Sequence, residues 1–401
     1  MKLTKNNPLN IFTIPSWFPS SGDEVSGVFV KEQLEAISNF APDINNYVST
    51  WGHQSGHLSF RSPKKIFDVI KWRFIKNTEN IYNHNANLTE LYSPSLSWSN
   101  ELPFGGYKSL MKVNRKNLKR TLSITSKVDV IHAHAAYPAG VIAFFLSQEF
   151  NIPYILTEHM GPRLPSLLSN GKPIELILNA YKKASKVIAV SDFLKIELEK
   201  FYLKNVVFIP NLVNEEKFIP KVIKKEKFIF FSLSAIIEIK GIDILLKAIE
   251  KWKPNEDLVQ FWIGGDGPKL EQYKALAIEL EISKYIKWLG PIKPSECPRF
   301  FQICDVFVLP SRYETFGVVY AEAIACGKPV IATKCGGPES IVNDINGILT
   351  EVGDIDELCD AMKKIRSSHN QFSEKKIRQN FLNLFSRGIV VKQISDIYKT
   401  I

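Results

Sequence analysis

Cysteine is scarce in this sequence, and long hydrophobic runs are absent. The five cysteines are odd in number, all lie between residues 297 and 359, and no two form a C-x-x-C pair. This pattern argues against a disulfide framework and favours reduced thiols in a cytosolic protein, most of them small core residues. No run approaches the roughly 18 uninterrupted apolar residues of a membrane-spanning helix. The first 19 residues lack the apolar core of a signal peptide, so we expect none.

Acidic residues are missing between Leu102 and Val128, where basic residues recur at near-helical spacing. Residues 64–77 mix basic side chains with aromatic ones, and the whole net charge of +10 falls on residues 1–225, because residues 226–401 are neutral overall. A basic helix with aromatics is typical of a membrane-surface segment, and a solvated face on two surface helices is the alternative. No nucleic-acid-binding module accompanies the charge, so we do not expect nucleic acid as a partner.

Short apolar runs alternate with amphipathic helical stretches through most of the 401 residues, which predicts parallel α/β architecture. The length suffices for two domains of ordinary size. Residues 52–127 fit the alternation poorly and look like an insertion or an excursion on the acceptor side. The expected strands are residues 11–14, 128–133, 153–157, 186–190, 228–234, 258–265, 285–290, 305–310 and 328–333, and expected helices include 241–252, 268–280, 317–326 and two pieces joined near 386–388.

The seam between the two domains is predicted at residues 209–227, which contain two prolines, little apolar sequence and a run of lysines. We therefore expect a first domain over residues 1–210, a second over 211–380 and a C-terminal helix over 381–401. Two doubly wound domains place a ligand at the carboxyl ends of their strands, in the cleft between them.

Two glutamates stand out in the stretch SRYETFGVVYAEAIACGKPVIAT, residues 311–333. The run after Gly317 predicts a buried helix, apolar almost all round, yet Glu322 lies in its middle and Glu314 precedes it. Buried carboxylates are costly unless they are hydrogen-bonded. Free N–H groups at a helix start favour an anion such as a diphosphate, so Glu322 would accept from a ribose diol and Glu314 would face the next group of the same ligand. The alternative is that Glu314 caps a helix and Glu322 meets a lysine.

Three further features favour a nucleotide ligand. WIGGDGPKL, residues 262–270, places a glycine-rich turn at Gly265 after a strand, although it lacks the full G-x-G-x-x-G spacing. CGGPESI, residues 335–341, is a second glycine-rich loop that opens a helix. Lys240, in EIKGID, stands at the start of a helix that follows a strand, where a cation can meet a phosphate.

Two patterns that resemble metal sites have simpler explanations. Asp354 and Asp356 form a D-x-D pattern, but they open the helix IDELCDAMKKI, so an N-cap explains them. His132 and His134 end a strand, yet no third and fourth zinc ligand occurs at suitable spacing. We expect both histidines to be structural, with a place for one of them along the ligand cleft as the alternative, and we expect no metal.

Taken together, these motifs resemble those of the retaining glycosyltransferases of family 4, which have the GT-B fold. The resemblance rests on E-x7-E in its full context, on GDGP, on the Lys-Gly pair at 240–241, on GGPESI and on IPNLVN in the second half. In the first half it rests on PSWFPSSGDEVSGVFVKEQLEAI, DVIHAH and TEHMG. It covers nearly the whole chain apart from about residues 52–127. It implies two Rossmann-like domains and a final helix that crosses back onto the first.

The resemblance implies metal-independent transfer of a sugar from a UDP- or GDP-sugar to a glycan or lipid-linked acceptor, with the anomeric configuration retained. Glu314 would lie against the donor sugar, His159 near the sugar and acceptor, and Lys240 at the leaving group. The implied donor-binding residues are Glu322 for the ribose, the backbones of Phe316, Gly317 and Val318 for the diphosphate, Gly265, Gly290 and Pro291 for the nucleotide, and the loop from Gly22 to Gly27 for the phosphates.

One position departs from the family pattern. The arginine that the family usually has five or six residues before Lys240 is replaced here by Ser234 and Ala235, so the phosphate site would rely on Lys240 and the helix start. We expect a cytoplasmic enzyme, attached peripherally to the inner face of the membrane through its basic first domain and serving surface polysaccharide biosynthesis, such as lipopolysaccharide, capsule or exopolysaccharide. The alternatives are a nucleotide-sugar epimerase of the same fold and a non-enzymatic two-domain sugar-binding protein.

Overall fold

The computed structural model describes residues 8–20, 25–53, 57–58, 66–67, 69–72, 78–98, 105–160, 174–201 and 203–401. Gly22 and most of residues 64–77 lie outside this set. The chain divides into two compact units: unit 1 is formed by residues 1–190, 194–212 and 390–401, and unit 2 by residues 191–193 and 213–389.

Strands and helices alternate along most of the described chain, which confirms the predicted α/β architecture. The strands are β1 (Leu9–Pro15), β2 (Ile44–Thr50), β3 (His57–Leu58), β4 (Asn80–Asn85), β5 (Leu88–Tyr92), β6 (Ser97–Trp98), β7 (Val130–His134), β8 (Tyr154–Glu158), β9 (Lys186–Ala189), β10 (Val206–Phe208), β11 (Phe228–Leu233), β12 (Val259–Gly264), β13 (Ile286–Gly290), β14 (Val306–Leu309), β15 (Val330–Thr333) and β16 (Gly347–Thr350).

The helices between them are amphipathic where one face meets a sheet and apolar where both faces are covered. They are α1 (Val28–Phe40), α2 (Tyr107–Thr125), α3 (Val141–Phe150), α4 (Ile174–Lys183), α5 (Asp192–Glu199), α6 (Ile242–Trp252), α7 (Leu270–Glu279), α8 (Cys297–Ile303), α9 (Val318–Ala325), α10 (Ile355–Ser367), α11 (Glu374–Leu384) and α12 (Arg387–Thr400). None of the helices in the described part of the chain has the length and apolar character needed to cross a membrane.

Unit 1 is built on an eight-stranded sheet with the strand order β10-β9-β8-β7-β1-β2-β5-β4. Every neighbouring pair is parallel except β4 with β5. The four strands predicted in the first half of the chain, β1, β7, β8 and β9, are confirmed within a few residues. They are short apolar runs that a parallel sheet buries on both faces.

Strands β2 and β5 of the same sheet were not predicted, because their sequences carry polar residues at buried positions. Asn46 and Ser49 of β2 are 1% and 0% exposed. Asn117 of α2 binds Ser49 but not Asn46: its amide nitrogen donates to the Ser49 hydroxyl at 2.9 Å and to the Leu91 carbonyl of β5 at 2.8 Å, whereas the Asn46 side-chain amide has no hydrogen-bond partner among the described residues. The near-helical spacing of basic residues after Leu102 is confirmed as α2, which buries the opposite face.

Unit 2 is built on a six-stranded sheet, ordered β13-β12-β11-β14-β15-β16 and parallel throughout. All five strands predicted in the second half are present, and β16 is added at the edge. The core is rich in phenylalanine: the Phe301 ring lies 5.3 Å from that of Phe231 and 5.4 Å from that of Phe307. Such aromatic packing fixes the strands and therefore the loops that leave their carboxyl ends.

The C-terminal tail forms two helices, α11 and α12, as predicted. Residues of α12 from Val390 onward belong to unit 1, where Val390, Val391, Ile394 and Tyr398 join the same buried cluster as Ile11 of β1. This helix therefore completes the core of the unit that begins at the other end of the chain.

Candidate functional site

The loops after β12 and β13 meet at the carboxyl edge of the unit 2 sheet. The amide of Gly265 donates to the carbonyl of Gly290 at 2.7 Å. Gly265 has a φ of +122°, and a Cβ there would lie 1.8 Å from the Ser234 carbonyl oxygen. Gly290 also has a positive φ, but the space around its Cα is open, and Pro291 after it is exposed. Two predicted site residues, Gly265 and Gly290, are thus brought together, with Ser234 of the loop after β11 directly against Gly265.

Lys240 and Glu314 form an ion pair across the loops that follow β11 and β14. The ammonium of Lys240 donates to Glu314 Oε1 at 2.6 Å, and the Ser311 hydroxyl donates to the same oxygen at 2.9 Å. Glu314 is only 8% exposed. Gly241 is required beside this pair, because its φ is +68° and a Cβ would lie 1.9 Å from the Pro310 carbonyl oxygen. Two residues that are 74 positions apart in the sequence therefore share one partly buried site.

The second glycine-rich loop, residues 335–341, packs against the backbone around Glu314. The amide of Gly337 donates to the Glu314 carbonyl at 2.9 Å, and a Cβ on Gly337 would lie 2.5 Å from backbone atoms of Phe316. Phe316 is 2% exposed and its ring lies 5.9 Å from that of Phe385. The side chain of Phe316 is therefore a core residue, and only its backbone is available to a ligand.

Helix α9 begins directly after Gly317, whose φ of +87° places it in the left-handed region. No side chain caps this helix, so Glu314 does not act as its cap. Tyr320 and the helix residues from Ala323 to Ala325 are buried, whereas Val318 and Glu322 are half-buried. The prediction that this apolar helix buries Glu322 is therefore wrong: Glu322 is half-buried, which makes the desolvation cost of its carboxylate smaller.

Arg312 is a residue that the sequence analysis missed. Its guanidinium donates to both carboxylate oxygens of Asp243, at 2.9 and 2.6 Å, and to the Glu238 carbonyl at 2.6 Å. Burial alone would raise the pKa of Asp243, but Arg312 lowers it below its ordinary value. The fork ties the loop that carries Lys240 to the loop that carries Glu314. The sequence feature that could have indicated this pair is an arginine two residues before Glu314 together with an acidic residue three residues after Lys240.

In unit 1, His159 follows β8 and joins a row of histidines. His159 Nε2 lies 3.0 Å from His134 Nδ1, and the rings of His134 and His132 are 4.4 Å apart. His132 is held between the Tyr398 hydroxyl at 2.6 Å and the Thr157 hydroxyl at 2.8 Å. Burial lowers the pKa of His134 to about 3 and lowers the pKa values of the other two well below 6.5. The row is therefore neutral at physiological pH, and His132 and His134 are fully buried.

Glu158, directly before His159, is a second residue that the sequence analysis missed. It is 1% exposed and accepts backbone N–H groups from Ala136 at 2.9 Å, His159 at 3.0 Å and Met160 at 2.8 Å. The Tyr181 hydroxyl donates to it at 2.5 Å. Burial raises the pKa of Glu158, and these hydrogen bonds oppose that rise. The carboxylate therefore fixes the backbone that presents His159. The sequence feature that could have indicated Glu158 is a carboxylate at the end of a predicted strand, within TEHMG.

Gly27 starts α1 with a φ of +76°, and a Cβ there would lie 2.3 Å from the Trp17 carbonyl oxygen. The backbone turn before α1 therefore requires glycine. Unit 1 thus holds His159 and Gly27, and unit 2 holds the other described candidate residues.

The D-x-D pattern acts as a helix start, as predicted. Asp354 is the N-cap of α10 and accepts the Glu357 amide at 2.9 Å, while Asp356 is paired with Lys251. Among the described residues, no group of three His, Cys, Asp or Glu side chains is arranged to hold a metal ion.

Two family profiles match the sequence. The profile described as "Glycosyl transferases group 1" matches residues 213–381, and the profile described as "Glycosyltransferase Family 4" matches residues 80–217. The first match contains every candidate residue described above for unit 2, and the second contains His159.

Known proteins resemble the chain over much of its length. An uncharacterized glycosyltransferase of Methanocaldococcus jannaschii is 30% identical over 292 residues, which cover 72% of this chain and 80% of that protein. The alpha-monoglucosyldiacylglycerol synthase of Streptococcus pneumoniae is 27% identical over 266 residues, 58% of each chain. The crystal structure of Anabaena HepE in complex with UDP matches with a TM-score of 0.68 at 18% identity, over 98% of this chain and 100% of that one. The structural match shows the same fold.

Proposed function

The chain belongs to the glycosyltransferase group 1 family and has the predicted GT-B fold, and from this premise we propose that it transfers a sugar from a UDP- or GDP-sugar with retention of anomeric configuration. The observation that carries the proposal is the Lys240–Glu314 pair beside the free N-terminus of α9, at the carboxyl edge of one parallel sheet. Ligands of open α/β sheets bind at that edge. The UDP bound to HepE supports a nucleoside diphosphate as the ligand here.

No side chain caps the start of α9. Its backbone N–H groups from Phe316 to Val318 suit the diphosphate, because a helix N-terminus carries a partial positive charge. Lys240 uses one of its three N–H donors on Glu314, which leaves donors for a phosphate oxygen. Glu322, half-buried on the same helix, is placed to accept from the ribose hydroxyls. The side chains that replace the family's arginine, Ser234 and Ala235, add no cation, so Lys240 and the helix carry the phosphate charge.

In the proposed reaction the acceptor oxygen bonds to the anomeric carbon as the bond from that carbon to the diphosphate oxygen breaks. The acceptor proton passes to the departing diphosphate. Negative charge grows on the leaving group, and Lys240 and the N–H groups of α9 are fixed near it before the reaction begins. Glu314, held by Lys240 and Ser311, faces the transferred sugar in this assignment.

We assign the acceptor to unit 1 and place the enzyme at the inner face of the membrane, in surface polysaccharide or glycolipid synthesis. Helix α2 presents a row of basic side chains, which line a shallow cavity of about 460 Å³: Lys112, Arg115, Lys116, Lys119 and Arg120. Such a face attracts anionic lipid headgroups. The similarity to an alpha-monoglucosyldiacylglycerol synthase supports a lipid-linked acceptor.

A nucleotide panel tests the donor site. Purified wild type, Glu322→Ala and the control Glu271→Ala, an exposed glutamate of α7, are melted with UDP, GDP, ADP and dTDP. A ligand at about 100 times its Kd stabilises by roughly 2.7 kcal/mol, which raises the Tm by several degrees. We expect UDP or GDP to shift wild type and Glu271→Ala, and to shift Glu322→Ala much less. The proposal fails if neither UDP nor GDP shifts the wild type, or if Glu322→Ala responds like the control.

A further inference from the structure

Unit 1 contains a second concave site, away from the row of histidines. A cavity of about 330 Å³ opens at the end of β2, beside β5 and the start of β4. We call it the edge cavity; its lining includes Thr50, His53, Trp72, Tyr82, Glu90 and Tyr92. Its volume lies at the lower end of the range for small-molecule pockets.

Aromatic side chains form one part of its wall. The Trp72 indole lies against Gly52, because a Cβ added to Gly52 would lie 2.2 Å from Trp72 Cζ2. The rings of Tyr82 and Tyr92 are 6.4 Å apart and inclined at 57°. Tyr82 remains 45% exposed even though it faces the cavity. These rings offer apolar faces and hydroxyl groups to one ligand.

Hydrogen-bonding groups form the rest of the lining. Glu90 accepts from the Thr50 hydroxyl at 2.5 Å and lies 2.9 Å from His84 Nε2, and a carboxylate with two such partners retains lone pairs for a ligand. The Asn80 amide is held by the Tyr82 hydroxyl at 3.0 Å. The Ser20 hydroxyl is shielded from solvent and has no hydrogen-bond partner among the described residues. The cavity therefore has both donors and acceptors to spare.

The charges of the lining favour a neutral ligand over an anion. Among the described residues that line the cavity there is a carboxylate, Glu90, but no lysine or arginine. His53 does not supply a cation, because burial lowers its pKa to about 3. The nearest guanidinium, that of Arg120, already donates to the Tyr92 and Asn80 carbonyls at 3.3 Å, and a phosphate would face the Glu90 carboxylate. A sugar ring suits the lining better, because it combines apolar C–H faces with hydroxyl groups that both donate and accept.

We propose that the edge cavity binds a sugar ring of the acceptor, and that this ring is not the one that is glycosylated. The inference rests on the proposed function, with the reaction near His159 at the end of β8. The cavity spans the ends of β1, β2 and β5 and the start of β4, so it lies two to five strands from β8, about 10–24 Å at a strand spacing of roughly 4.8 Å. One sugar cannot occupy both places. The acceptor is therefore an oligosaccharide, free or lipid-linked, with more than one sugar.

Saturation-transfer NMR on the full chain tests the site with methyl α-D-glucopyranoside, methyl α-D-galactopyranoside, methyl α-D-mannopyranoside and maltotriose as probes. We expect at least one probe to receive saturation from the wild type, and its signal to fall at least fivefold in Tyr82→Ala and in Glu90→Gln. Tyr82 is exposed, so its removal leaves the fold intact. Phe40→Ala, which removes an aromatic ring of equal exposure from α1, is the matched control and should keep the signal.

The inference is overturned if no probe binds the wild type, if the signal persists in both variants, or if inorganic phosphate displaces the bound glycoside. A signal lost in Glu322→Ala but kept in Tyr82→Ala would also overturn it, because the probe would then occupy the donor site. The nucleotide panel separates the two proposals. If UDP or GDP binds normally but no glycoside binds, only the proposal for the edge cavity fails. If neither nucleotide binds, the proposed donor site fails.

Discussion

The ammonium of Lys240 is held in place by contacts that extend beyond Glu314. Arg312 reaches from the loop after β14 to Asp243 and to the Glu238 carbonyl, on either side of Lys240. A guanidinium fork that binds both oxygens of a carboxylate fixes position as well as charge. Arg312 therefore acts as a brace for Lys240 and not as a second phosphate ligand.

Arg312→Ala should weaken nucleoside diphosphate binding about tenfold, the factor that corresponds to 1.4 kcal/mol, because the Lys240 loop loses its brace. Arg312→Lys should restore little of this, since a single ammonium nitrogen cannot form the planar two-nitrogen fork to Asp243 and also reach the Glu238 carbonyl. Calorimetric titration with the diphosphate that binds the wild type measures the effect.

Two comparisons control this experiment. The matching nucleoside, which lacks phosphates, should bind Arg312→Ala and wild type alike, and Arg299→Ala, an exposed arginine of α8, should behave as wild type. Equal losses for the nucleoside and the diphosphate would show that Arg312 supports the unit in general and not the phosphate site.

At the scale of the element, α9 depends on the glycine before it. Gly317 has a φ of +87°, and a Cβ there would lie 2.4 Å from the Tyr320 ring. Tyr320 cannot give way easily, because it is fully buried and its hydroxyl donates to the Leu309 carbonyl at 2.8 Å. The start of the helix, where the diphosphate is proposed to bind, is therefore set by a contact within its own first turn.

Gly317→Ala should lower the free energy of unfolding by about 1–3 kcal/mol, through backbone strain and the clash with Tyr320. It should also weaken diphosphate binding. Gly353→Ala is the matched control, because Gly353 has a similar φ of +82° but no atom lies within 4 Å of an added Cβ. Urea unfolding of the two variants separates the two effects, because both alanines carry the backbone strain and only the one at position 317 also clashes with Tyr320. Equal losses of stability would mean that the Tyr320 contact relaxes at no cost.

The sequence predicted elements where hydrophobicity alone decides burial. Strands β11 to β15 are apolar runs and were found, whereas β2 was missed because its buried Asn46 and Ser49 read as a polar segment. The spacing within E-x7-E located α9, but no local pattern shows that Lys240 meets Glu314 or that Arg312 meets Asp243. Those contacts follow from the order of the strands, which places the loops after β11 and β14 side by side.

At the scale of the whole molecule, ionisable groups are divided unequally between the two units. Unit 1 carries six of the seven histidines. Burial lowers the pKa values of His53 and His134 to about 3 and lowers those of His132 and His159 well below 6.5. Each binds a proton more readily when unfolded, so each contributes stability above pH 6.5 that is lost as the pH falls. Burial raises the pKa of Glu158, so its contribution to the free energy of unfolding decreases as the pH rises.

Acidification from pH 7 to pH 5 should therefore destabilise unit 1 first. A histidine such as His134 contributes a loss of about 2 kcal/mol over that range. In unit 2, Arg387 lowers the pKa of Glu215 and Arg312 lowers the pKa of Asp243, so both carboxylates stay ionised over that range. Hydrogen–deuterium exchange at both pH values, corrected for the intrinsic rates, should show loss of protection in unit 1 peptides. Equal or earlier loss in unit 2 would contradict this division.

Helix α12 has a consequence for the order in which the chain acquires its structure during synthesis. Its residues from Val390 onward supply part of the unit 1 core, and Tyr398 holds His132 of β7. A ribosome releases residues 390–401 only after all of unit 2, although most of unit 1 has emerged long before. Unit 1 must therefore wait, with its apolar core incomplete and accessible to solvent or to a chaperone, while the residues of unit 2 are translated. The last unit to be translated is the first that can fold completely.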